Sequence, residues 1–423
     1  LFASTPKGRG VPVVMVGPPG TAKSASIEAY LKGFGLDPYS LSPGLMGEAF
    51  FGVTPVPVTV GDDLVLRFPT PERLHAIKRS PGAALFVDEM NAVVSAAQLP
   101  PMLGMLQDRR VGDFFMGTQC RIIAAMNPQH IAANGVRLSI PQANRVAMWE
   151  WTSVSSQQRN VYLRTLSNVA QPWAIERDAV IRHDVREELE ARMDTYYAQA
   201  MHDAVSLISA GFLAAHPQRR NMMPQASSKE AVSPWPSDRS WTNAMALFAA
   251  SQILCSSEYP LPHNASDVLR ELRLKSGDLR NLQQELIASC VGLETAQLFA
   301  TWHKDLDLPD VGQWMQGNAE MRSAKTGDNA VFISGIYSWM RAHANELNQT
   351  TAYRYGERVF GYIHWLASNG LLDLSIVLLQ DVVNDKGDLY GIYCDPNIGP
   401  ERRRATDKIR ESGRELMAIQ GML

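Results

Sequence analysis

The chain has 423 residues and a mass of 46.8 kDa, which at roughly 150 residues per domain predicts about three compact units. Its 45% hydrophobic and 20% charged content is that of a folded globular protein and excludes a disordered chain, a collagen-like fibre or a coiled-coil rod. Lys and Arg total 40 against 43 Asp and Glu, a net charge of −3, so the basic excess of a non-specific nucleic-acid binder is missing.

The first half alternates short β-rich apolar runs with helical segments, the pattern of a parallel sheet covered by helices. Strands are predicted at Val11 to Val16, Ala83 to Val87, Arg121 to Ala125 and Arg145 to Trp149. Helices are predicted from Lys23, from near Pro71 and from near Ser95, each after a turn or a small polar residue. From about Ser155 onward strands become scarce and helical spacing dominates, as in Asp184 to Leu213. A Pro- and Ser-rich stretch from His216 to Pro236 reads as a loop ahead of a helix that carries Trp241, Ala244 and Leu247. Further helical runs are predicted at Ser276 to Trp302, Val331 to Leu347, Tyr353 to Ser368 and Leu371 to Val383.

Between the first strand and the first helix stands Gly17-Pro18-Pro19-Gly20-Thr21-Ala22-Lys23-Ser24. Backbone N–H groups and a helix N-terminus at such a turn surround a β-phosphate, a Lys reaches the β and γ oxygens, and a Ser hydroxyl ligates Mg²⁺. The plainer reading is a Gly/Pro turn that binds nothing, but the flanking strand and the Lys-Ser pair favour a nucleotide. The strict pattern has Gly where Ala22 stands. If residue 22 already belongs to the helix, Ala takes the required angles there and only adds a methyl group near the phosphate.

The run Ala84-Leu85-Phe86-Val87 leads directly into Asp88-Glu89, as in a buried strand that ends in acids at its carboxyl edge. Asp88 is the candidate to hold Mg²⁺ through water, and Glu89 to orient and deprotonate the attacking water. Two acids at a strand end are usually just a solvated edge, but their spacing from the phosphate loop favours the functional reading. The strand Arg121 to Ala125 ends in Met126-Asn127-Pro128. Asn127 either fixes the attacking water beside Glu89 or simply begins a turn before proline. Arg145 is either a surface cation or an arginine finger for a nucleotide on the next subunit. Arg239, in the first turn of a helix, opposes the helix dipole and so invites an anionic partner, a role that Asp238 could also fill.

Taken in order, Gly17 to Ser24, Leu85 to Asn91, Ile123 to Pro128, Ala143-Asn144-Arg145 and Trp235 to Trp241 resemble the MoxR branch of AAA+ ATPases. The resemblance covers about residues 9 to 255, and Ala before the Lys is itself common in that branch. It implies an α/β P-loop NTPase domain with a parallel sheet between helices, followed by an all-α lid and an α-helical C-terminal region. The corresponding boundaries are 1–155 for the core, 156–260 for the lid and 261–423 for the C-terminal region. ATP and Mg²⁺ are the implied cofactors, with Gly17, Pro18, Pro19, Gly20, Thr21, Ala22, Lys23, Ser24 and Asp88 as binding residues and Ser24 and Asp88 at the metal. The implied catalytic residues are Glu89, Asn127 as sensor 1, Arg145 as the finger and Arg239 as sensor 2.

The resemblance also places Tyr39 to Phe68, with Gly47, Phe50 and Phe51, where the branch has an insertion in its second helix. It places Arg109 to Cys120 at a hairpin before sensor 1, and both elements face the pore in the family. Phe50 and Phe51 can equally be a small hydrophobic cluster under a long loop. Family members have more chain ahead of the phosphate loop than the sixteen residues here, and that chain helps line their adenine pocket. The chain opens at Leu1 without Met, which leaves room for native residues before it.

MoxR-like proteins form rings, usually hexameric, that act as chaperones, often with a separate protein bearing a von Willebrand A domain. The Asp-x-Ser-x-Ser motif of that domain does not occur in this chain. A nucleotide-gated scaffold with low turnover and a P-loop small-molecule phosphotransferase remain as alternatives. No apolar run reaches the ~20 residues of a membrane span. The four cysteines, Cys120, Cys255, Cys290 and Cys394, are far apart, which predicts a reducing, cytoplasmic setting. The histidines have no metal-ligand spacing, and Arg402-Arg403-Arg404 reads as a solvated helix face.

Overall fold

A computed structural model describes residues 1–46, 50, 55–67, 70–92, 99–128, 131, 138–152, 181–225, 228, 232–306, 308–321, 323, 325–343, 349–371, 374–376 and 378–379. By packing, the chain divides into two compact units: residues 1–200 with 218–300, and residues 201–217 with 301–423.

The first unit is built on five parallel strands: β1 (Val13–Val16), β2 (Asp37–Leu41), β3 (Ala83–Val87), β4 (Arg121–Met126) and β5 (Ala147–Glu150), in the spatial order β5-β1-β4-β3-β2. Every residue of β3 and β4 is buried, which is why both read as unbroken apolar runs in place of an alternating pattern. Helices α1 (Lys23–Gly33), α2 (Glu72–Arg79), α3 (Leu99–Asp108) and the single turn α4 (Ile140–Ala143) fill the connections. Leu74, Ile77, Met102, Met105 and Leu106 from α2 and α3 pack with Leu85, Val87, Ile122 and Ala124 of the sheet. This is the α/β P-loop fold, with helical segments after it.

Register decides where chemistry can occur. Met126 pairs with Val16, and Ala124 with Val87, so Gly17, Asp88 and Asn127 leave the sheet at the same carboxyl edge.

The long helix α5 (His183–Val205) continues through a π-helical stretch, Ser206–Leu213. Next come α6 (Asp238–Cys255), α7 (Asp267–Glu271), α8 (Ser276–Val291), α9 (Leu293–Lys304), α10 (Val311–Gln316), α11 (Thr326–Ala342) and α12 (Gln349–Ser368). No strand follows β5 among the described residues. Helix α6 is buried continuously from Ala244 to Ser251, the segment where its sequence is almost wholly apolar, and it packs on α8. The Arg192 guanidinium on α5 donates to the carbonyls of Ile253, Tyr259 and Pro260, which fixes α5 to the chain leaving α6. In the second unit Trp314, Phe332 and Tyr362 meet edge to face at 5.2–5.5 Å.

Four sequence expectations need correction or completion. The sheet has a fifth strand, Asp37–Leu41, where none was predicted; its Pro38 is tolerated because β2 lies at the edge of the sheet. Tyr39 to Leu41 therefore belong to the sheet and not to the insertion that was to begin at Tyr39. The run predicted from Ser276 to Trp302 is two helices, broken at Gly292. Phe50 packs against the core beneath the sheet, in line with the cluster reading, whereas Gly47, Phe51, the helix start near Ser95, Cys394 and Arg402 to Arg404 lie outside the described residues.

Besides a short ribbon of Ser4–Thr5 with Gly8–Arg9, two hairpins stand on this frame. One pairs Val56–Val60 with Asp63–Arg67, and leaves Val56, Val58, Val60, Leu64 and Leu66 exposed. The other, Arg110–Val111 with Phe114–Phe115, is anchored by Arg109. The Arg109 guanidinium is buried and donates to the carbonyls of Cys120 (2.9 Å), Lys7 (3.0 Å), Arg9 (2.6 Å) and Gly10 (3.0 Å).

Arg109→Met keeps much of the volume but donates nothing to these four carbonyls, so it should cost about 3 kcal/mol or more. The expected readout is a lower urea midpoint for the unit that holds the sheet, with Arg110→Met, an exposed position, as a control near wild type. An unchanged midpoint in Arg109→Met would show that water replaces the guanidinium.

Candidate functional site

The site begins where β1 ends. Gly17 N–H donates to the Met126 carbonyl (3.1 Å), tying the loop to β4. A Cβ at Gly17 would lie 2.7 Å from the Trp151 carbonyl oxygen, so only glycine fits there. Trp151 in turn donates its indole N–H to the Thr21 carbonyl (3.3 Å). Gly20 is left-handed at φ 72°, a turn that glycine makes without strain.

Lys23 opens α1 and is buried, with its ammonium turned back into the loop. It donates to the carbonyls of Gly17 and Pro18, each at 2.7 Å, and to Asn127 Oδ1 at 3.2 Å. Burial pushes the Lys23 ammonium below the ordinary lysine range, while the carboxylates of Asp88 and Glu89 act to raise it. The next residue, Ser24, donates its hydroxyl to Asp88 Oδ2 at 2.7 Å. Asp88 Oδ1 accepts from the Glu89 N–H at 2.9 Å. Glu89 is exposed and left-handed at φ 49°.

Pro19, Gly20, Ala22, Lys23, Ser24, Asp88, Glu89 and Asn127 line one cleft of about 320 Å³. Three separate stretches of sequence thus meet there, and Gly17 and Pro18 are bound to it through Lys23. Ser24 and Asp88 offer a hydroxyl and a carboxylate on adjoining atoms, hard oxygen donors of the kind Mg²⁺ selects. The Lys23 ammonium beside the N-terminus of α1 suits a phosphate. The donor set therefore fits a magnesium-bound nucleotide.

Arg145 and Arg239 do not line that cleft. They share a different pocket, of about 160 Å³, with Lys7, Gln107, Arg109 and Thr242. Their proximity has a local cause in the stretch before Arg145. Asn144 is buried, accepts from the Ser237 hydroxyl (2.9 Å) and donates to the Trp235 carbonyl (3.0 Å), while the Trp235 indole donates to the Ile140 carbonyl (3.2 Å). Ser237 is also the N-cap of α6, in a reciprocal box with Ser240. The residue before Arg145 is thereby bonded to the cap two residues before Arg239. Asp238, which could have balanced Arg239, pairs with Arg220 at 2.8 Å. Among the described residues no carboxylate pairs with Arg145 or Arg239, and Arg145 Nε is buried without a partner.

Trp151, Asn144, Ser237 and Asn91 were given no role from the sequence. Trp151 carries no motif signal; Asn91 follows the two acids directly, but nothing in its spacing reveals what it touches. The reading of Ala22 as a residue with helical angles is overturned. It is the N-cap of α1, in the left-handed region at φ 60° and ψ 25°, where a Cβ crowds the backbone.

No protein-family model matches the sequence, and no curated protein matches it. Among solved structures, a Cytophaga hutchinsonii protein described as a candidate ATPase is similar at 14% identity and a TM-score of 0.43, over 70% of this chain and 85% of that one. A shared activity does not follow from likeness at that level.

Ala22→Gly removes the left-handed strain and is expected to raise stability by about 1 kcal/mol, less the greater freedom of glycine in the unfolded chain. A higher urea midpoint for the unit holding the sheet, with the circular-dichroism spectrum unchanged, is the expected result. A lower midpoint would mean that Ala22 is not held at positive φ.

Proposed function

We propose that the chain is an ATP hydrolase of the MoxR-like AAA+ kind, acting in the cytoplasm as a homo-oligomeric ring, hexameric by resemblance. Its turnover would remodel or activate a partner protein, such as a separate chain bearing a von Willebrand A domain. The observation that carries this reading is the Ser24 to Asp88 hydrogen bond at 2.7 Å in a cleft that also holds Lys23, Glu89 and Asn127.

The roles follow from position. The Lys23 ammonium, held at the Gly17 and Pro18 carbonyls of the loop, would serve the phosphates of a bound nucleotide. Ser24 and Asp88 would hold Mg²⁺, which would supply positive charge against the phosphates. Glu89, exposed at the mouth of the cleft, accepts a proton from the attacking water, and the Asn127 amide orients that water.

Arg145 and Arg239 complete the site from another subunit. They stand together, away from the cleft of their own chain, and no carboxylate among the described residues pairs with them. A pair of this kind suits the γ-phosphate of a neighbouring subunit, where such cations are worth roughly 10³ to 10⁵ in rate. This differs from a sensor 2 that serves its own nucleotide.

Glu89→Gln should retain ATP binding and lose about 100-fold or more in turnover, so wild-type hydrolysis in that variant would overturn the assignment. Mixing tests the supply across subunits. Glu89→Gln keeps intact arginines and Arg145→Ala keeps an intact base, so two inactive preparations should regain activity when combined. No recovery in mixed assemblies, or a monomer with and without ATP, would overturn the ring.

A further inference from the structure

We propose that Asn91 is a positioning residue for the hydrolytic step, and that it acts by holding the backbone of Asn127. The inference deepens the hydrolase reading and rests on it.

Asn91 is 2% exposed and spends its amide on one residue. Its Nδ2 donates to the Asn127 carbonyl at 2.8 Å, and its Oδ1 accepts from the Asn127 N–H at 3.3 Å. A side-chain amide presents a donor and an acceptor in the same plane, as a peptide does, so Asn91 pairs with residue 127 much as a neighbouring strand would. The adjacent Met90 N–H donates to the Ala125 carbonyl at 2.8 Å, two residues earlier along the same backbone. Together these bonds extend the order of the sheet past the end of β4, where Pro128 allows no donor of its own.

The other end of the clasp matters equally. Asn91 lies on the turn that carries Glu89, and the Ala92 N–H closes that turn on the Glu89 carbonyl at 2.8 Å. Glu89 stands at φ 49°, a conformation its neighbours must hold in place. One buried amide therefore ties the turn of the candidate base to the residue of the candidate water-orienting amide. These two residues are far apart in sequence and must be placed together within a fraction of an ångström. With its backbone held, Asn127 retains only side-chain rotation, and its Oδ1 reaches Lys23 at 3.2 Å. Asp lacks the donor, and apolar residues of this size lack both functions, so the position calls for asparagine.

The test separates positioning from mere structural support. Asn91→Ala should lower kcat for ATP about tenfold with KM changed less than about twofold, because the groups that bind phosphate are untouched. The clasp uses only the backbone of Asn127 and so survives in Asn127→Ala. In that background Asn91→Ala should change kcat by less than about twofold, while the loss in urea midpoint stays the same in both backgrounds. Equal kcat losses in both backgrounds would show a general structural role and overturn the proposal. Asn91→Asp matches the shape but sets a carboxylate against the Asn127 carbonyl; it should be at least as slow as Asn91→Ala, and replaces it if the alanine variant does not fold. Wild-type kcat in these Asn91 variants would overturn the clasp alone. Absence of ATP turnover in the wild-type chain would instead overturn the hydrolase reading and this inference with it.

Discussion

The shared register of β1, β3 and β4 is the constraint on which the candidate site depends. Parallel pairing delivers Gly17, Asp88 and Asn127 to one edge of the sheet, and the crevice at the carboxyl ends of the strands is where open α/β sheets bind ligands. Sliding β3 or β4 by one residue would carry Asp88 or Asn127 out of line with Gly17 and would exchange the residues packed on the two faces of the strand. Loop geometry then adds what the strands cannot supply. Trp151 crowds Gly17, Gly20 turns left-handed, and the Ser24 hydroxyl reaches Asp88.

The second group of polar residues follows a different logic. The Asn144 to Ser237 bond makes the approach to Arg145 and the cap of α6 one unit, so a shift of that helix carries both arginines. The same bond gives Ser237 two tasks, capping a helix and holding a loop.

Much of this architecture was legible because apolar runs and loop motifs are local. Ala83 to Val87 forms the predicted strand, α1 starts at Lys23, and the cleft gathers Lys23, Ser24, Asp88, Glu89 and Asn127. What escaped the sequence was either weak in pattern or non-local in cause. Asp37–Leu41 has a proline and a charged residue, so its propensity is low and only pairing with β3 makes it a strand. The left-handed Ala22 hides inside a motif whose usual glycine already points to that angle. Asn91 and Asn144 look like ordinary polar residues beside stronger motifs, because their partners lie 36 and more than 90 residues away. The separation of Arg239 from the phosphate loop depends on where α6 packs, which spacing along a chain does not encode.

The ribbon formed by Val56–Val60 and Asp63–Arg67 has a consequence for handling the chain. A two-stranded ribbon is marginal alone in water, and this one exposes Val56, Val58 and Val60 on one face and Leu64 and Leu66 on the other. Free strand edges with apolar faces template intermolecular sheets. Pro57 interrupts the row of donors, and Asp62, Asp63 and Arg67 place charge at the two ends of the ribbon. The colloidal behaviour of concentrated preparations therefore depends on a few residues remote from the phosphate loop, and a proline-to-valine change there would be felt first as precipitation.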